Sequence, residues 1–258
     1  MLTKQQQIDS AIREVKKLVE GGFIGEITFR LKNGDVIHKT INRQNMLNAQ
    51  VAKTISLIIP LKNRFAHLCK LLKSLGEVTH YERVEVVIVD FESTDVKWDQ
   101  KIEDPYTLVS IPPPFRRAKA LNIGASFATG NVLFFCDADM LLPRNLVTVL
   151  ENTVEDGVAY FPKCTLLIEK EQEGGVLDVG WGNCAFTRAT FDIVGKWNES
   201  FIMHGGEDGD LFNRCVSYKI VQAGVRTIRS LLPGFFHQFH PTTAEYRNKY
   251  YLEGDSNV

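Results

Sequence analysis

Val132-Leu133-Phe134-Phe135-Cys136-Asp137-Ala138-Asp139-Met140 runs five apolar residues into two carboxylates one residue apart. The apolar run is short and has no polar face, which fits a strand buried on both sides. Gly130-Asn131 turns the chain into it. Both carboxylates then fall at the carboxyl end of the strand, the edge where open α/β sheets bind ligands. Two hard oxygen donors there can reach a divalent cation, or one can take the cation and the other a ribose hydroxyl. The competing reading is a turn in which Asp137 and Asp139 cap backbone ahead of Pro143.

Working outward, the preceding segments repeat the pattern. Ile55–Pro60 reads as a buried strand closed by a proline, followed by Lys62-Asn63-Arg64 and a helix face of Leu68, Leu71, Leu72 and Leu75. Val84–Val89 reads as a second buried strand ending in Asp90-Phe91-Glu92-Ser93-Thr94-Asp95. Strand, helix and strand with polar residues at the strand ends make a βαβ unit. Leu108–Ile111 offers a third strand, cut off by three prolines, and Arg116-Arg117-Ala118-Lys119 opens a helix that leads back to the acidic strand. The expected class is α/β: a Rossmann-like, mostly parallel central sheet flanked by helices.

Ahead of this unit, residues 4–20 carry apolar side chains at helical spacing, and Asn33-Gly34 sits between two alternating runs that read as a hairpin. Residues 1–50 are thus a helix–hairpin extension, too small to fold alone. It is expected to pack on the main body or on a second copy in a homo-oligomer. The main domain spans 51–258, with a nucleotide-binding half at 51–145 and an acceptor-binding half at 146–258. In the latter, Tyr160-Phe161 and Leu166–Ile168 read as strands, and a helix over about 188–194 follows Cys184-Ala185-Phe186. Gly205-Gly206-Glu207-Asp208 opens a further helix, and Phe235-Phe236-His237 with His240-Pro241 closes the fold ahead of a polar tail.

Composition narrows the function. The 258 residues are 44% hydrophobic with a formal net charge of -1, so no basic excess points to nucleic acid. No apolar stretch is long enough to span a bilayer and no leader pattern follows Met1, which sets the expectation of a cytoplasmic protein, peripheral at most to the inner face of a membrane. Five scattered cysteines read as reduced core residues rather than a disulfide framework or a zinc site.

Several clusters could carry chemistry, each beside a plainer reading. Asp90, Ser93 and Asp95 suit the donors of a uridine and its ribose, or a turn with Asx bonding. Arg116, Arg117 and Lys119 could face a diphosphate, or form an exposed basic face. Glu207 and Asp208 could supply a general base, or simply favour the helix dipole. His237 and His240, three apart, could join Asp139 around a cation. Trp181 could offer a sugar an aromatic face, or belong to the core.

Taken together these segments resemble the family 2 glycosyltransferases of the GT-A fold. They look closer still to the branch that shares motifs with β-1,4-galactosyltransferases and chondroitin-type polymerases. The carrying motifs are Ile59-Pro60-Leu61-Lys62-Asn63-Arg64 with His67-Leu68, Asp90 to Asp95, Arg117-Ala118-Lys119 with Leu121-Asn122 and Gly124, Cys136 to Met140, and Gly205 to Arg214. They cover most of residues 55–241 in family order. The resemblance implies that Pro60, Asn63, Arg64, Asp90 and Asp95 hold the uridine half of a UDP-sugar. Arg117, Lys119, Asn122, Asp137, Ala138, Trp181 and Gly182 complete the nucleotide-sugar site. Asp139, His237 and His240 bind Mn2+ or Mg2+. Asp208 is the base, with Glu207 orienting a saccharide acceptor. Two positions depart from the branch: Gly209 stands where a third acid is usual, and His204 where a Trp is usual.

The activity so implied is inverting, metal-dependent transfer from a UDP-sugar to a saccharide hydroxyl, as in polysaccharide biosynthesis. One alternative is a sugar-phosphate nucleotidyltransferase, but Leu61–Phe65 lacks the glycine-rich loop that would cradle a triphosphate. The other is a non-catalytic nucleotide- or sugar-binding module on the same fold.

Overall fold

A computed structural model of the chain describes residues 25–30, 36–41, 55–96, 106–201 and 205–241. The expected helix over 4–20, the Asn33-Gly34 turn, His204 and the tail after 241 lie outside them. Strands β1 (Gly25–Arg30) and β2 (Val36–Ile41) pair antiparallel, with Arg30 opposite Val36. The sheet's parallel centre consists of β3 (Ile55–Leu61), β4 (Val84–Asp90), β5 (Tyr106–Ser110) and β6 (Val132–Phe135), in the order β5-β4-β3-β6. β2 adds antiparallel to β5, with Lys39 opposite Val109, so the hairpin extends the main sheet.

The side chains explain why these strands sit in the middle. Along β3, Ile55, Leu57, Ile59 and Leu61 enter one core and Ile58 enters the other. Val132 and Phe134 of β6 face the first core, Leu133 and Phe135 the second. Period-two alternation with apolar residues on both faces requires cover on both sides. Helix α1 (Phe65–Leu75) covers one face through Leu68, Leu71, Leu72 and Leu75, and α2 (Arg117–Phe127) covers the other through Ala118, Leu121 and Ile123. Gly124 lets α2 lie close against the sheet, because a Cβ there would collide with Ile58.

Beyond β6 the added strands are mainly antiparallel: β7 (Met140–Leu141), β8 (Val158–Ile168), β9 (Gln172–Val176), β10 (Cys184–Thr187) and β11 (Arg226–His237). β10 pairs with β6 and with β8, β11 runs parallel to β8, and β7 pairs antiparallel with β11. The two strands expected at 160–161 and 166–168 are one strand. Its partner β11 absorbs the misfit in a register shift between Leu231 and Phe236. Helices α3 (Leu146–Thr153), α4 (Arg188–Ile193), α5 (Glu207–Cys215) and α6 (Tyr218–Gln222) complete the described elements. α3 and α6 had no expectation, being short with few apolar turns. None of the described helices is long and apolar enough to cross a membrane. The pairing that matters most sets His237 opposite Met140, bringing the end of β11 to the acidic turn.

Candidate functional site: a carboxylate and two imidazoles beside a divided pocket

Asp137, Ala138 and Asp139 leave β6 at its carboxyl end. The Gln238 backbone N–H donates to the Asp139 carbonyl at 2.8 Å, continuing the β7–β11 pairing one residue further. This places His240 Nε2 3.3 Å and His237 Nε2 3.8 Å from Asp139 Oδ2. One ligand atom from each of the three lies within 4.8 Å of the others. The buried Asp139 Oδ1 has no hydrogen-bond partner. One carboxylate with two imidazoles is a donor set for a divalent first-row cation, and an unsatisfied buried oxygen is costly without one; the residues fit such an ion. Burial works to raise the Asp139 pKa, but the His240 hydrogen bond and the charges of His237 and Arg64 overcome it and hold the carboxyl well below its usual range.

Arg64, expected at the uridine, instead points Nη1 at Asp139 Oδ2 from 2.5 Å, and both side chains are buried. Gln238 Nε2 donates to the carbonyls of His67 (3.0 Å) and Met140 (3.1 Å), tying α1 to β7 behind the imidazoles. His67 meets His240 edge to face at 6.0 Å. Its pKa is lowered by desolvation first and by the Arg64 charge second.

Arg117, expected on an exposed helix face or a diphosphate, is an internal brace. Nε donates to Asp137 Oδ1 (2.8 Å), Nη2 to the Gly182 carbonyl (2.9 Å), and Nη1 lies 3.6 Å from Glu207 Oε1. Its guanidinium also sits 5.1 Å from the Trp197 ring centroid. Burial opposes this charge, while Asp137 and Glu207 stabilise it and raise its pKa further. Gly182 is required by that closeness: a Cβ there would stand 2.7 Å from Arg117 Nη2 and 3.1 Å from Asp137 Oδ2. Asn183 Oδ1 accepts the Asp137 backbone N–H at 2.9 Å.

The acidic start of α5 follows Gly205 and Gly206, both in the left-handed region at φ 106° and 92°, where only glycine is free of strain. Glu207 is 2% exposed and accepts the Gly205 N–H at 2.9 Å. Asp208 Oδ2 accepts the Trp181 N–H at 3.2 Å, and its Oδ1 accepts the Gly209 N–H at 2.9 Å. Trp181 stacks on Phe212 at 5.1 Å, and Arg229 lies over its ring.

Two pockets of about 210 Å3 each adjoin here. The first is lined by Pro60, Lys62, Arg64, Ala138, Asp139 and His240, among others, and the second by Gly182, Asn183, Glu207 and Asp208. Arg117, Asp137 and His237 border both. Asn63, Asp90, Asp95, Lys119, Asn122 and Trp181 line neither. Asp90 Oδ1 accepts from the Ser93 N–H and hydroxyl, Asn63 Oδ1 from the Thr94 N–H, and Asp95 Oδ2 from Phe65 N in the first turn of α1. These are the turn and cap bonds of the plainer reading, formed because short polar side chains satisfy nearby backbone first. Asn122 bonds both backbone groups of Trp197 and the Glu199 carboxylate. Lys62, Phe115, Asn183, His67 and Gln238 were not among the expected site residues. Lys62 and His67 stood inside a quoted motif, whereas Gln238 carries no local signal at all.

A sequence model of Glycosyl transferase family 2 matches residues 56–173. Chondroitin sulfate N-acetylgalactosaminyltransferase 2 of Mus musculus is 25% identical over 220 residues, 72% of this chain and 40% of the relative. The chain therefore spans well under half the length of that curated relative. Among solved structures, S. aureus TarS 1-349 in complex with UDP aligns with a TM-score of 0.53 and 16% identity, over 73% of this chain and 61% of that one. The mannosyltransferase PcManGT from Pyrobaculum calidifontis, in complex with GDP-Man and Mn2+, aligns with a TM-score of 0.53 and 22% identity, over 76% and 60%. By this match and these likenesses, on the sheet and site described above, residues 56–173 carry the sequence pattern of Glycosyl transferase family 2, and the chain has the GT-A fold.

Proposed function

We propose that the protein transfers a sugar from a UDP-sugar to a saccharide hydroxyl, with inversion and with a divalent cation, Mn2+ or Mg2+, at Asp139, His237 and His240. The observation that carries this is the convergence of those three side chains on a pocket that shares Arg117, Asp137 and His237 with the one Asp208 lines. UDP bound by TarS, and GDP-Man with Mn2+ bound by PcManGT, support a nucleotide sugar as the donor class. When bound, the cation stabilises negative charge on the departing diphosphate.

The chain's own residues do the rest. Lys62 and Arg64 face the first pocket and attract the diphosphate. Arg117 fixes Asp137 on one side and Glu207 on the other, so donor and acceptor walls keep their spacing. Asp208, on the second pocket, takes the proton from the acceptor hydroxyl, its carboxylate aimed by the Trp181 and Gly209 N–H groups. Attack from that pocket reaches the anomeric carbon on the face away from the nucleotide, which inverts it. Holding both substrates in adjoining pockets supplies much of the acceleration.

The test is UDP release from a panel of UDP-sugars with Mn2+ or with chelator. Metal-dependent release for one donor is expected; none for any donor, with nucleotide still bound, would leave a binding module instead. Asp208→Asn should lower kcat by about 10²-fold or more with binding retained; a normal rate would remove the base assignment. Asp139→Ala should abolish metal-dependent UDP binding, read by calorimetry, and unchanged Mn2+ dependence would contradict the site.

A further inference from the structure

Arg64 occupies the oxygen that the cation site needs. Its Nη1 is 2.5 Å from Asp139 Oδ2, and the side chains are only 8% and 10% exposed. Both imidazoles approach that same oxygen, at 3.3 and 3.8 Å. The neighbouring carboxylate, Asp137, is likewise taken by Arg117. The first pocket thus faces three side-chain cations, Lys62, Arg64 and Arg117, with two carboxylates, Asp137 and Asp139. A bare divalent ion entering there must compete with these guanidiniums for the two carboxylates in a partly desolvated cavity. A diphosphate entering with it offsets the ion's charge and offers the guanidinium a second oxyanion partner of matching geometry.

We propose that Arg64 is a positioning residue that makes cation binding conditional on the diphosphate: it holds Asp139 Oδ2 and passes to the phosphates when the nucleotide arrives. The inference rests on reading Asp139, His237 and His240 as the metal ligands. By linkage, what the nucleotide does to cation affinity the cation does equally to nucleotide affinity. Arg64 then contributes to that coupling, and the cation and diphosphate enter with their charges largely offset.

Mn2+ titrations of the full chain, followed by the paramagnetic resonance of free Mn2+, test this without turnover. In the wild type, UDP should tighten Mn2+ binding about tenfold or more, within the usual range of such couplings, and uridine should not. Arg64→Met leaves Asp139 without its guanidinium, so bare Mn2+ should bind about tenfold more tightly, and UDP, which still attracts the cation directly, should add less than it does in the wild type. A folded Arg64→Met protein, judged by circular dichroism, that binds bare Mn2+ no better than wild type overturns the inference. Should that variant not fold, the wild type decides: equal Mn2+ affinity with and without UDP overturns it too. If wild type and Asp139→Ala bind Mn2+ alike, the metal reading itself has failed, and Arg64's role with it.

Discussion

Gly182 shows at the scale of one residue how little space the site allows. Its missing side chain leaves room for the guanidinium of Arg117 and the carboxylate of Asp137, which together border both pockets. Gly182→Ala should push these two apart and lower kcat/KM about tenfold or more, since small misplacements near reacting groups are costly, while circular dichroism stays native. An unchanged kcat/KM would mean that the brace tolerates displacement. The same scale shows what Asp90 and Asp95 do within the fold. Both are acids at a strand end, as a nucleotide site demands, yet both find backbone N–H partners within a few ångströms. Only the geometry of the loop separates a cap from a ligand.

At the scale of elements, β6 carries the acidic turn because its upstream half is anchored on both faces. Phe135 is fully buried among Phe186, Phe191 and Trp197, with ring centroids 6.3, 4.9 and 5.5 Å away. Phe135→Ala should cost about 3–5 kcal/mol of unfolding free energy, measured by urea titration. A loss under about 1 kcal/mol would show that neighbouring rings refill the space. Helix α4 has a side-chain cap at its start. Thr187 Oγ1 accepts the Thr190 N–H at 3.2 Å and also donates to Asp156 at 2.5 Å. Thr187→Ala should therefore destabilise by about 1–2 kcal/mol, and an unchanged urea midpoint would contradict the cap. The pairing of β7 with β11 sets where the chain's end meets the acidic turn. Two residues of β7 suffice to bring in the histidines.

For the molecule as a whole, the cysteines report on burial. Cys136, Cys164, Cys184 and Cys215 are buried free thiols, and Cys69 is exposed. Burial pushes Cys164 up to about 11 and Cys215 up to about 12, from an ordinary value of 9.0, with Cys136 and Cys184 raised well above it. Below pH 9 these four thiols are protonated whether the chain is folded or not. Above it the unfolded chain loses their protons and the folded chain does not, so stability should fall as pH climbs from about 9 towards 12. Unfolding free energies that do not decline over this range would contradict the burial. One thiol should react readily with a thiol reagent in the native protein and five after denaturation.

Much of this was legible in the chain. The apolar runs at 55–60, 84–89 and 132–136 determined a buried parallel sheet by themselves, because strands without a polar face need cover on both sides. The leucines of α1 and the paired glycines before α5 marked their elements equally well, since helical spacing and left-handed backbone are local properties. The tertiary structure alone decided the site. Gln238 bonds to Met140, 98 residues earlier in the chain, and that adjacency depends on strand order and register, which no local spacing encodes. It decided also that Arg117 is a brace and that Arg64 lies on Asp139. A charged side chain's partner is whichever opposite charge the packed fold leaves within reach, and that is settled only once the sheet has closed around it.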